Sequence, residues 1–404
     1  MEVDTSTEAK TNKTSNYFKL IYKYVYIVGW PNFWTSRPDV PVTIIKYHKK
    51  SAIFLDGLCL ILVVLELVGI FTQPNLSEKQ KSDGKLLGFA HIFLGSYGYI
   101  LSFYQDNIRA MTYSLTVELK KCYNDYEIEK EMTKKARRHS IAYCLIVISA
   151  LVSYGVDGFM TCYVTKAGTF VTVITAWPDV NDVSYPADYF RVFAYILWWI
   201  FMIRVSGVYV MLISTLVCLG YQYKNLQSYF YSLDGIFEKD HLTSEQKEET
   251  YENGLKLGIN MHARTLWCTR ECEKSYMGVV SGQIVVNITV IILLMAQMLT
   301  TERTFGAVAA IVSTMTAMLI STGFFMWNAG DVAVEAASLS TAMFSSGWQN
   351  CRGDTSVRVR KLLVVAMRQA QVPVSIGALG IITLSYESYV SIVKSSYSVF
   401  SVLY

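Results

Sequence analysis

The stretch FLDGLCLILVVLELVGIF, residues 54–71, decides the fold class of this chain. The hydrocarbon core of a bilayer is about 30 Å thick, and an α-helix needs roughly 20 consecutive apolar residues to cross it. Residues 54–71 come close to that length, although Asp56 and Glu66 interrupt them. Six later stretches also qualify, the last of them less apolar than the others. We therefore predict an all-α membrane protein with seven transmembrane helices, over residues 54–71, 86–104, 141–164, 192–219, 276–299, 305–327 and 374–403.

The composition of the 404 residues agrees with a membrane protein. Hydrophobic residues make up 52% of the chain and charged residues 17%, with a mean hydropathy of +0.30, whereas soluble domains carry roughly 25% charged residues. Seven prolines and eight cysteines are too few for a collagen-like, disordered or disulfide-scaffold protein. A net charge of +4 does not indicate nucleic-acid binding. We also expect no cleavable signal peptide, because no early apolar run follows a basic start.

The lysines and arginines outside the predicted helices indicate the orientation. Along the N-terminal segment, the six loops and the tail they number 8, 3, 8, 1, 7, 1, 5 and 0, with Arg191 placed at the mouth of the fourth helix. Loops rich in these residues stay cytoplasmic. The alternation therefore predicts a cytoplasmic N-terminus and an extracellular C-terminus, which argues against a G-protein-coupled receptor. It also places the sequon at Asn75 outside, so Asn75 is a candidate for glycosylation.

The same pattern divides the chain into segments. We predict a cytoplasmic N-terminal segment at 1–53, helices 1–4 at 54–219, a cytoplasmic loop with anchor helices at 220–274, helices 5–6 at 275–327, a second anchor segment at 328–373 and helix 7 at 374–404. Aliphatic and aromatic residues continue through the charged segments, which predicts a helical cytoplasmic anchor formed by extensions of helices 4–7. The second outer loop contains Trp177-Pro178-Asp179 and Ser184–Tyr189, a composition that favours an ordered lid.

Motifs of known catalytic chemistry are missing from the sequence. No phosphate-binding loop, nucleophilic serine motif, zinc-protease motif or dinucleotide fingerprint occurs, so we predict neither an enzyme nor a cofactor. Cys268 and Cys272 lie one helical turn apart, but no second pair of ligands completes a metal site. We interpret them as two unrelated thiols.

Charged residues inside predicted membrane helices are costly and usually face protein or water. Glu66 and Asp157 lie towards the outer ends of their helices, where we expect them to reach the interface. Arg204 lies mid-span, and the sequence leaves two interpretations open: it lines a polar cavity or forms a salt bridge between helices. His91 is interpreted as a packed polar residue rather than a proton relay.

The last predicted helix has a face rich in hydroxyl groups. Ser388, Ser391, Ser395, Ser398 and Val402 follow helical spacing along it. Such a face suits a water-filled pore that ends in an apolar constriction, or equally a small-residue surface that packs against another helix. A chain with one pore helix has to assemble with other subunits around an axis to enclose a pore.

Several motifs in the C-terminal third occur together. They are GFFMWNAG at 323–330, EAAS at 335–338, Trp348, Arg358, KLL at 361–363, MRQAQVP at 367–373, LSYESY at 384–389 and IVKSSYSVF at 392–400. With the elements of the second outer loop, they make the chain similar to the insect odorant receptor family. The ending SYSVF at 396–400 differs from the Thr-Tyr…Gln-Phe ending of the related gustatory receptors. Residues 221–274 are also too short for the insertion of the family's co-receptor, so the chain resembles a ligand-tuned subunit.

The resemblance implies a ligand-gated, non-selective cation channel in the plasma membrane of olfactory sensory neurons. Its partners would be odorant co-receptor subunits in a heterotetramer, a volatile odorant, permeant cations and membrane lipid. Helix 7 would line the central pore, with Ser391, Lys394, Ser395, Ser398 and Val402 as pore candidates. The odorant would bind in the outer half between helices 2, 3, 4 and 6, and the ligand-binding candidates are Phe89, Phe93, Val152, Tyr154, Gly155, Phe159, Leu197, Ile200, Arg204, Ile311, Met315 and Leu319.

Three other classes remain as alternatives to this interpretation. A gustatory-type or homomeric chemoreceptor channel would respond without a co-receptor. A G-protein-coupled receptor would have the opposite orientation. A transporter would be expected to show internal repeats and broken helices in mid-membrane, and the sequence shows no repeat.

Overall fold

A computed structural model describes residues 12–36, 39–164, 169–300 and 305–403 of the chain. These residues are helical almost throughout. The helices are α1 Lys13–Ile27, α2 Val42–Thr72, α3 Glu78–Phe103, α4 Gln105–Tyr113, α5 Leu119–Cys122, α6 Tyr126–Val164, α7 Tyr185–Ser232, α8 Ser244–Thr300, α9 Phe305–Phe344, α10 Ser356–Ala370 and α11 Tyr386–Leu403. A π-helical turn at Ser114–Glu118 joins α4 to α5. Short 3-10 turns occur at Asp234–Ile236 and Trp348–Asn350, and two strands, β1 Gly377–Ala378 and β2 Ile382–Thr383, precede α11.

Five helical segments within the described residues are long and apolar enough to cross a membrane. They are Val42–Thr72, Gln80–Phe103, Tyr126–Met160, Tyr185–Ile236 and Ser244–Ala296. Each contains or largely overlaps one of the first five predicted spans. Helices α9 and α11 fall where the sixth and seventh spans are predicted. The all-helical, membrane-type fold is therefore confirmed, whereas the count of seven spans and the orientation stay predictions.

Three of the long helices continue well past the length that a bilayer requires. Helices α7, α8 and α9 contain 48, 57 and 40 residues, and at about 1.5 Å per residue each is much longer than a 30 Å hydrocarbon core. The stretch 204–220 of α7 is buried on every side, and α7 packs most extensively against α9 and α6. The predicted continuation of helices 4, 5 and 6 beyond their spans is thus present.

The prediction of one continuous helix over residues 374–403 is wrong. The strands β1 and β2 pair antiparallel, with Gly377 opposite Thr383, and α11 begins only at Tyr386. Pro373 cannot donate a backbone hydrogen bond, and Gly380 has φ +71°, which a glycine adopts without strain. The extension of helix 7 is therefore a separate helix, α10.

The N-terminal segment is packed into the bundle. The side chains of Tyr17, Phe18 and Tyr22 on α1 are buried. The backbone N–H and the hydroxyl of Thr14 donate to the Glu129 carboxylate at 2.8 and 2.9 Å. Because a buried carboxylate is stable only when it is hydrogen-bonded, these bonds fix the start of α1 against α6. Helix α2 then begins at Val42, within the segment predicted to precede the first span.

A cleft of about 550 Å³ lies between α8 and α10, in the charged part of α8 that precedes the predicted fifth span. His262 lines this cleft and is only 4% exposed. Burial disfavours the charged imidazolium, and it lowers the pKa of His262 to about 4. The other lining residues are Ile259, Ala263, Leu266, Arg270, Lys361, Leu362, Val365, Ala366 and Gln369.

We expect His262 to make the folded chain less stable in acid. The unfolded chain, with a histidine pKa of about 6.5, takes up a proton that the folded chain rejects, so stability is lost as the pH falls from 6.5 towards 4. By this linkage the free energy of unfolding falls by about 2 kcal/mol between pH 7 and pH 5. Thermal melting of the detergent-solubilised protein at the two pH values measures this change. His262→Leu should weaken the dependence on pH, whereas His241→Gln, at an exposed position, should not. Equal slopes for His262→Leu and the parent would contradict the assignment.

Candidate functional site

A buried hydrogen-bonded triad joins α2, α3 and α7. His91 Nδ1 lies 2.8 and 2.9 Å from the two carboxylate oxygens of Glu66. The indole nitrogen of Trp198 donates to His91 Nε2 at 3.0 Å. Glu66 and His91 are each 2% exposed, so the expectation that Glu66 reaches the interface is wrong. The interpretation of His91 as a packed polar residue agrees with its place in the triad.

The loop that is predicted to be the second outer loop, residues 169–184, lies against the C-terminal part of α2 next to this triad. The backbone N–H of Trp177 donates to the Leu65 carbonyl at 2.9 Å. The Gln73 amide donates to the Ala176 carbonyl at 3.2 Å, and its oxygen accepts from the Val180 N–H at 3.1 Å. Because these bonds satisfy backbone groups that would otherwise be buried unpaired, the loop is ordered, as its composition predicted.

Arg191 fixes the other side of the same loop. Its guanidinium donates to the Asp179 carbonyl at 3.0 Å, to the Asp182 carbonyl at 2.9 Å and to the Asp188 carboxylate at 3.1 Å. Arg191 is buried at the start of α7. It therefore has a structural role at the mouth of the fourth helix, in agreement with its exclusion from the loop charges.

Three neighbouring aromatic side chains, Tyr154, Tyr195 and Trp198, form an aromatic wall that shares Trp198 with the triad. Tyr154 is one of the predicted ligand residues. The ring centroids of Tyr154 and Trp198 are 5.7 Å apart, and the Tyr195 ring is 6.4 Å from Trp198. The Tyr154 hydroxyl shares a hydrogen bond of 2.8 Å with the Thr314 hydroxyl. This bond joins α6 to α9 and places a pair of hydroxyl groups next to a mostly apolar surface.

A second group of the predicted ligand residues packs together on the neighbouring side of α3. The Phe89 and Phe93 rings are 4.8 Å apart. Both pack against an apolar cluster of α3 and α8, and Met315 of α9 does the same. The structure therefore brings Phe89, Phe93 and Met315 together in one cluster, whose buried members are Leu86, Ala90, Val286, Val290 and Leu294.

The other apolar candidates are dispersed. Val152 and Phe159 are exposed on α6. A Cβ at Gly155 would collide with the Tyr195 hydroxyl, so Tyr195 occupies the space expected beside that glycine. Leu197 is buried on α7, while Ile200 and Leu319 are half-buried. The side chain of Ile311 lies outside the described residues.

Arg204 takes part in the salt bridge that the sequence left open. Its guanidinium is 2.6 Å from the Asp56 carboxylate and stacks on the Trp30 ring, 4.4 Å from the centroid. The Trp30 indole in turn donates to the Arg204 carbonyl at 3.0 Å. Since its guanidinium is bound by these groups, Arg204 is the candidate least suited to contact an odorant.

Comparison with known proteins decides the family. The model described as 7tm Odorant receptor matches residues 94–397. The chain belongs to this family. Solved structures of the insect olfactory receptor OR5 from Machilis hrabei share the fold of this odorant receptor, both alone and in complex with eugenol, at 12% and 13% identity. Each alignment has a TM-score of 0.77 and covers 96% of this chain and 97% of that chain. The comparison with curated proteins finds no match.

The predicted pore face of the odorant receptor lies on α11. Ser391, Lys394, Ser395 and Ser398 are exposed in the single chain, and the Ser398 hydroxyl donates to the Lys394 carbonyl at 3.0 Å. The side chain of Val402 lies outside the described residues. Helix α11 packs against α8 and α9, so its serine face points away from the receptor's own core and is available to a neighbouring subunit, lipid or water.

Two further sequence features can be located in the receptor. Asn75 is exposed in the turn between α2 and α3, as a glycosylation site requires. Cys268 and Cys272 are fully buried, and burial raises the pKa of the Cys268 thiol to about 12. Within the described part of the receptor no group of three metal-binding side chains occurs.

Two residues of the candidate site, Trp198 and Thr314, were not among the predicted ligand residues. The sequence gives no signal for them, because their hydrogen-bond partners lie on other helices.

Proposed function

We propose that this odorant receptor is the ligand-tuned subunit of a non-selective cation channel that it forms with co-receptor subunits, as a heterotetramer in the plasma membrane of olfactory sensory neurons. The observation that carries the proposal is the aromatic wall of Tyr154 and Trp198 with its hydroxyl pair, within a chain of this family. The ordered outer loop beside the wall supports it. The eugenol complex of a receptor with the same fold supports a small, largely apolar ligand.

The ligand would be a volatile molecule with an apolar body and one hydrogen-bonding group. Ligand sites of this kind are lined mainly by apolar and aromatic side chains, with a few polar groups that fix orientation. The Tyr154 and Thr314 hydroxyls supply those polar groups here. Phe89, Phe93 and Met315 supply apolar contacts, and the more dispersed candidates Val152, Gly155, Phe159, Leu197, Ile200, Ile311 and Leu319 complete the proposed lining.

Opening of the channel follows from differential binding. An odorant shifts the equilibrium only if it binds the open arrangement more tightly than the closed one. The Tyr154–Thr314 bond joins α6 to α9, and α9 packs against α11. An odorant that inserts between α6 and α9 would therefore move α11 and widen the pore near Ser398 and Val402. Seven spans with a cytoplasmic N-terminus are part of this proposal.

The test is current recording in oocytes that express the chain with a co-receptor, against a panel of volatile molecules. Odorant-evoked cation current is expected only from the pair. Tyr154→Phe and Thr314→Val should each raise the half-maximal concentration for odorants with a hydroxyl or carbonyl group by roughly tenfold, since each removes about one hydrogen bond. Odorants without such a group serve as the matched control. Robust current from the chain alone would contradict the heteromeric proposal and favour a homomeric chemoreceptor channel.

A further inference from the structure

The direction of the hydrogen bonds in the buried triad can be assigned from chemistry alone. An indole N–H is only a donor, so His91 Nε2 must be the acceptor of the bond from Trp198. The imidazole proton is then on Nδ1, which donates to the Glu66 carboxylate. The chain runs in one direction, from Trp198 through His91 to Glu66.

This chain restricts the Trp198 ring to one orientation. The three side chains are at most 5% exposed, and the Phe201 ring packs 4.8 Å from the His91 ring. Rotation of the indole would leave its N–H and His91 Nε2 buried without partners, which is costly in an apolar interior. Glu66 and His91 are therefore linked to the aromatic wall through Trp198, which bonds His91 and also packs next to Tyr154.

The orientation of Trp198 bears on the proposed odorant site because the same ring also packs next to Tyr154. Their rings are 5.7 Å apart with an angle of 56° between the planes, and Tyr154 carries the hydroxyl that bonds Thr314. A shift of the indole would change the space next to that hydroxyl. The altered space would affect the binding of ligands of different shape to different extents.

We propose that Glu66 and His91 are positioning residues for odorant selectivity, acting through the Trp198 ring without contacting the ligand. The inference rests on the proposed function and adds to it the residues that set which odorants fit. It accounts for a carboxylate and an imidazole held in the apolar part of α2 and α3. Intramembrane ionisable residues are usually functional.

The experiment measures selectivity rather than activity. Trp198→Phe keeps an aromatic ring, although a smaller one, and removes the indole donor, while Glu66→Gln removes the charge of the final acceptor. Both are co-expressed with the co-receptor and tested on odorants that share a polar group but differ in shape. We expect the ratio of half-maximal concentrations between two such odorants to change by roughly tenfold, the effect of about one hydrogen bond. Cation permeability ratios should stay unchanged. The matched control is Glu129→Gln, which removes another buried carboxylate, bound to Thr14, and should not alter the ratio.

A double-mutant cycle separates positioning from general damage. The effects of Glu66→Gln and Trp198→Phe on the ratio should be non-additive, because both act on one orientation of one ring. Two results would overturn the inference in a parent chain that responds to odorants. One is an equal shift of the half-maximal concentration for every odorant, and the other is additive effects of the two substitutions on the ratio. A parent chain that responds to no odorant would contradict the proposed function itself. If Glu66→Gln fails to reach the surface, an unchanged ratio in Trp198→Phe is sufficient to reject the inference.

Discussion

Asp56→Asn is expected to destabilise the receptor by about 3 kcal/mol, the low end of the cost of removing one partner from a buried ion pair. Arg204 is only 4% exposed at its side chain, whereas Asp56 is 32% exposed. The variant therefore leaves a guanidinium charge in the apolar interior with a weaker partner. The measurement is the melting temperature of the detergent-solubilised chain, together with its level at the cell surface.

The matched control for Asp56→Asn removes both charges at once. Replacing a buried ion pair with apolar residues of similar volume is often neutral or stabilising. The double variant Asp56→Leu with Arg204→Met is therefore expected to melt close to the parent and well above Asp56→Asn. Stacking on Trp30 would be lost in the double variant, which accounts for a small remaining deficit. A double variant that is less stable than Asp56→Asn would contradict the ion-pair explanation.

Arg204 also shows where sequence reasoning reaches its limit. Hydropathy predicted the helix that contains it, because the surrounding residues are apolar over the length of a span. Its partner could not be predicted, since Asp56 lies 148 positions earlier in the chain and only the packing of α2 against α7 brings them together. The same applies to Glu66 and His91, because only the packing of α2 against α3 makes them one pair.

The start of the last helix cannot be predicted from the sequence for a related reason. Residues 374–385 are apolar enough to continue a span, and periodicity alone does not separate a short apolar strand from helix. The decisive contacts come from α8, where the Glu273 carboxylate accepts from the Gly377 N–H and the Ser281 hydroxyl from the Leu379 N–H, both at 2.8 Å. Because these side chains satisfy backbone groups that a helix would pair internally, the hairpin is stable there.

The Asp331 carboxylate, at the start of α11, connects α6, which carries Tyr154, to the proposed pore helix α11. Asp331 on α9 forms an ion pair with Lys135 of α6 and accepts a hydrogen bond from the Tyr386 hydroxyl at the first residue of α11. A Cβ at the adjacent Gly330 would lie 3.0 Å from the Tyr386 ring, so α9 and α11 approach closely at this point. On the proposed function, a movement of α6 caused by an odorant would reach α11 through the Asp331 side chain.

We expect Asp331→Asn to reduce the maximal odorant-evoked current by roughly tenfold, within the 1–3 kcal/mol that couplings between sites usually reach. The amide removes the charge that attracts Lys135 and weakens the bond from Tyr386, so binding at Tyr154 is less well transmitted to the pore. Tyr386→Phe should produce a decrease of similar size, because it removes the hydrogen bond that connects Asp331 to α11. Currents are normalised to surface receptor, and binding of a labelled odorant should be retained.

The ion pair of Lys224 with Glu131 offers the matched control for Asp331→Asn. It joins α6 to α7 with a distance of 2.8 Å and involves neither α9 nor α11. Glu131→Gln should therefore leave the maximal current near that of the parent, although it removes a salt bridge from the same helix. If both variants lower the current equally, the loss reflects a general weakening of α6 and not a link to the pore. If neither does, the connection through Asp331 does not contribute to opening, and the contact of Tyr389 with the Leu319 carbonyl at 3.3 Å becomes the next route to test.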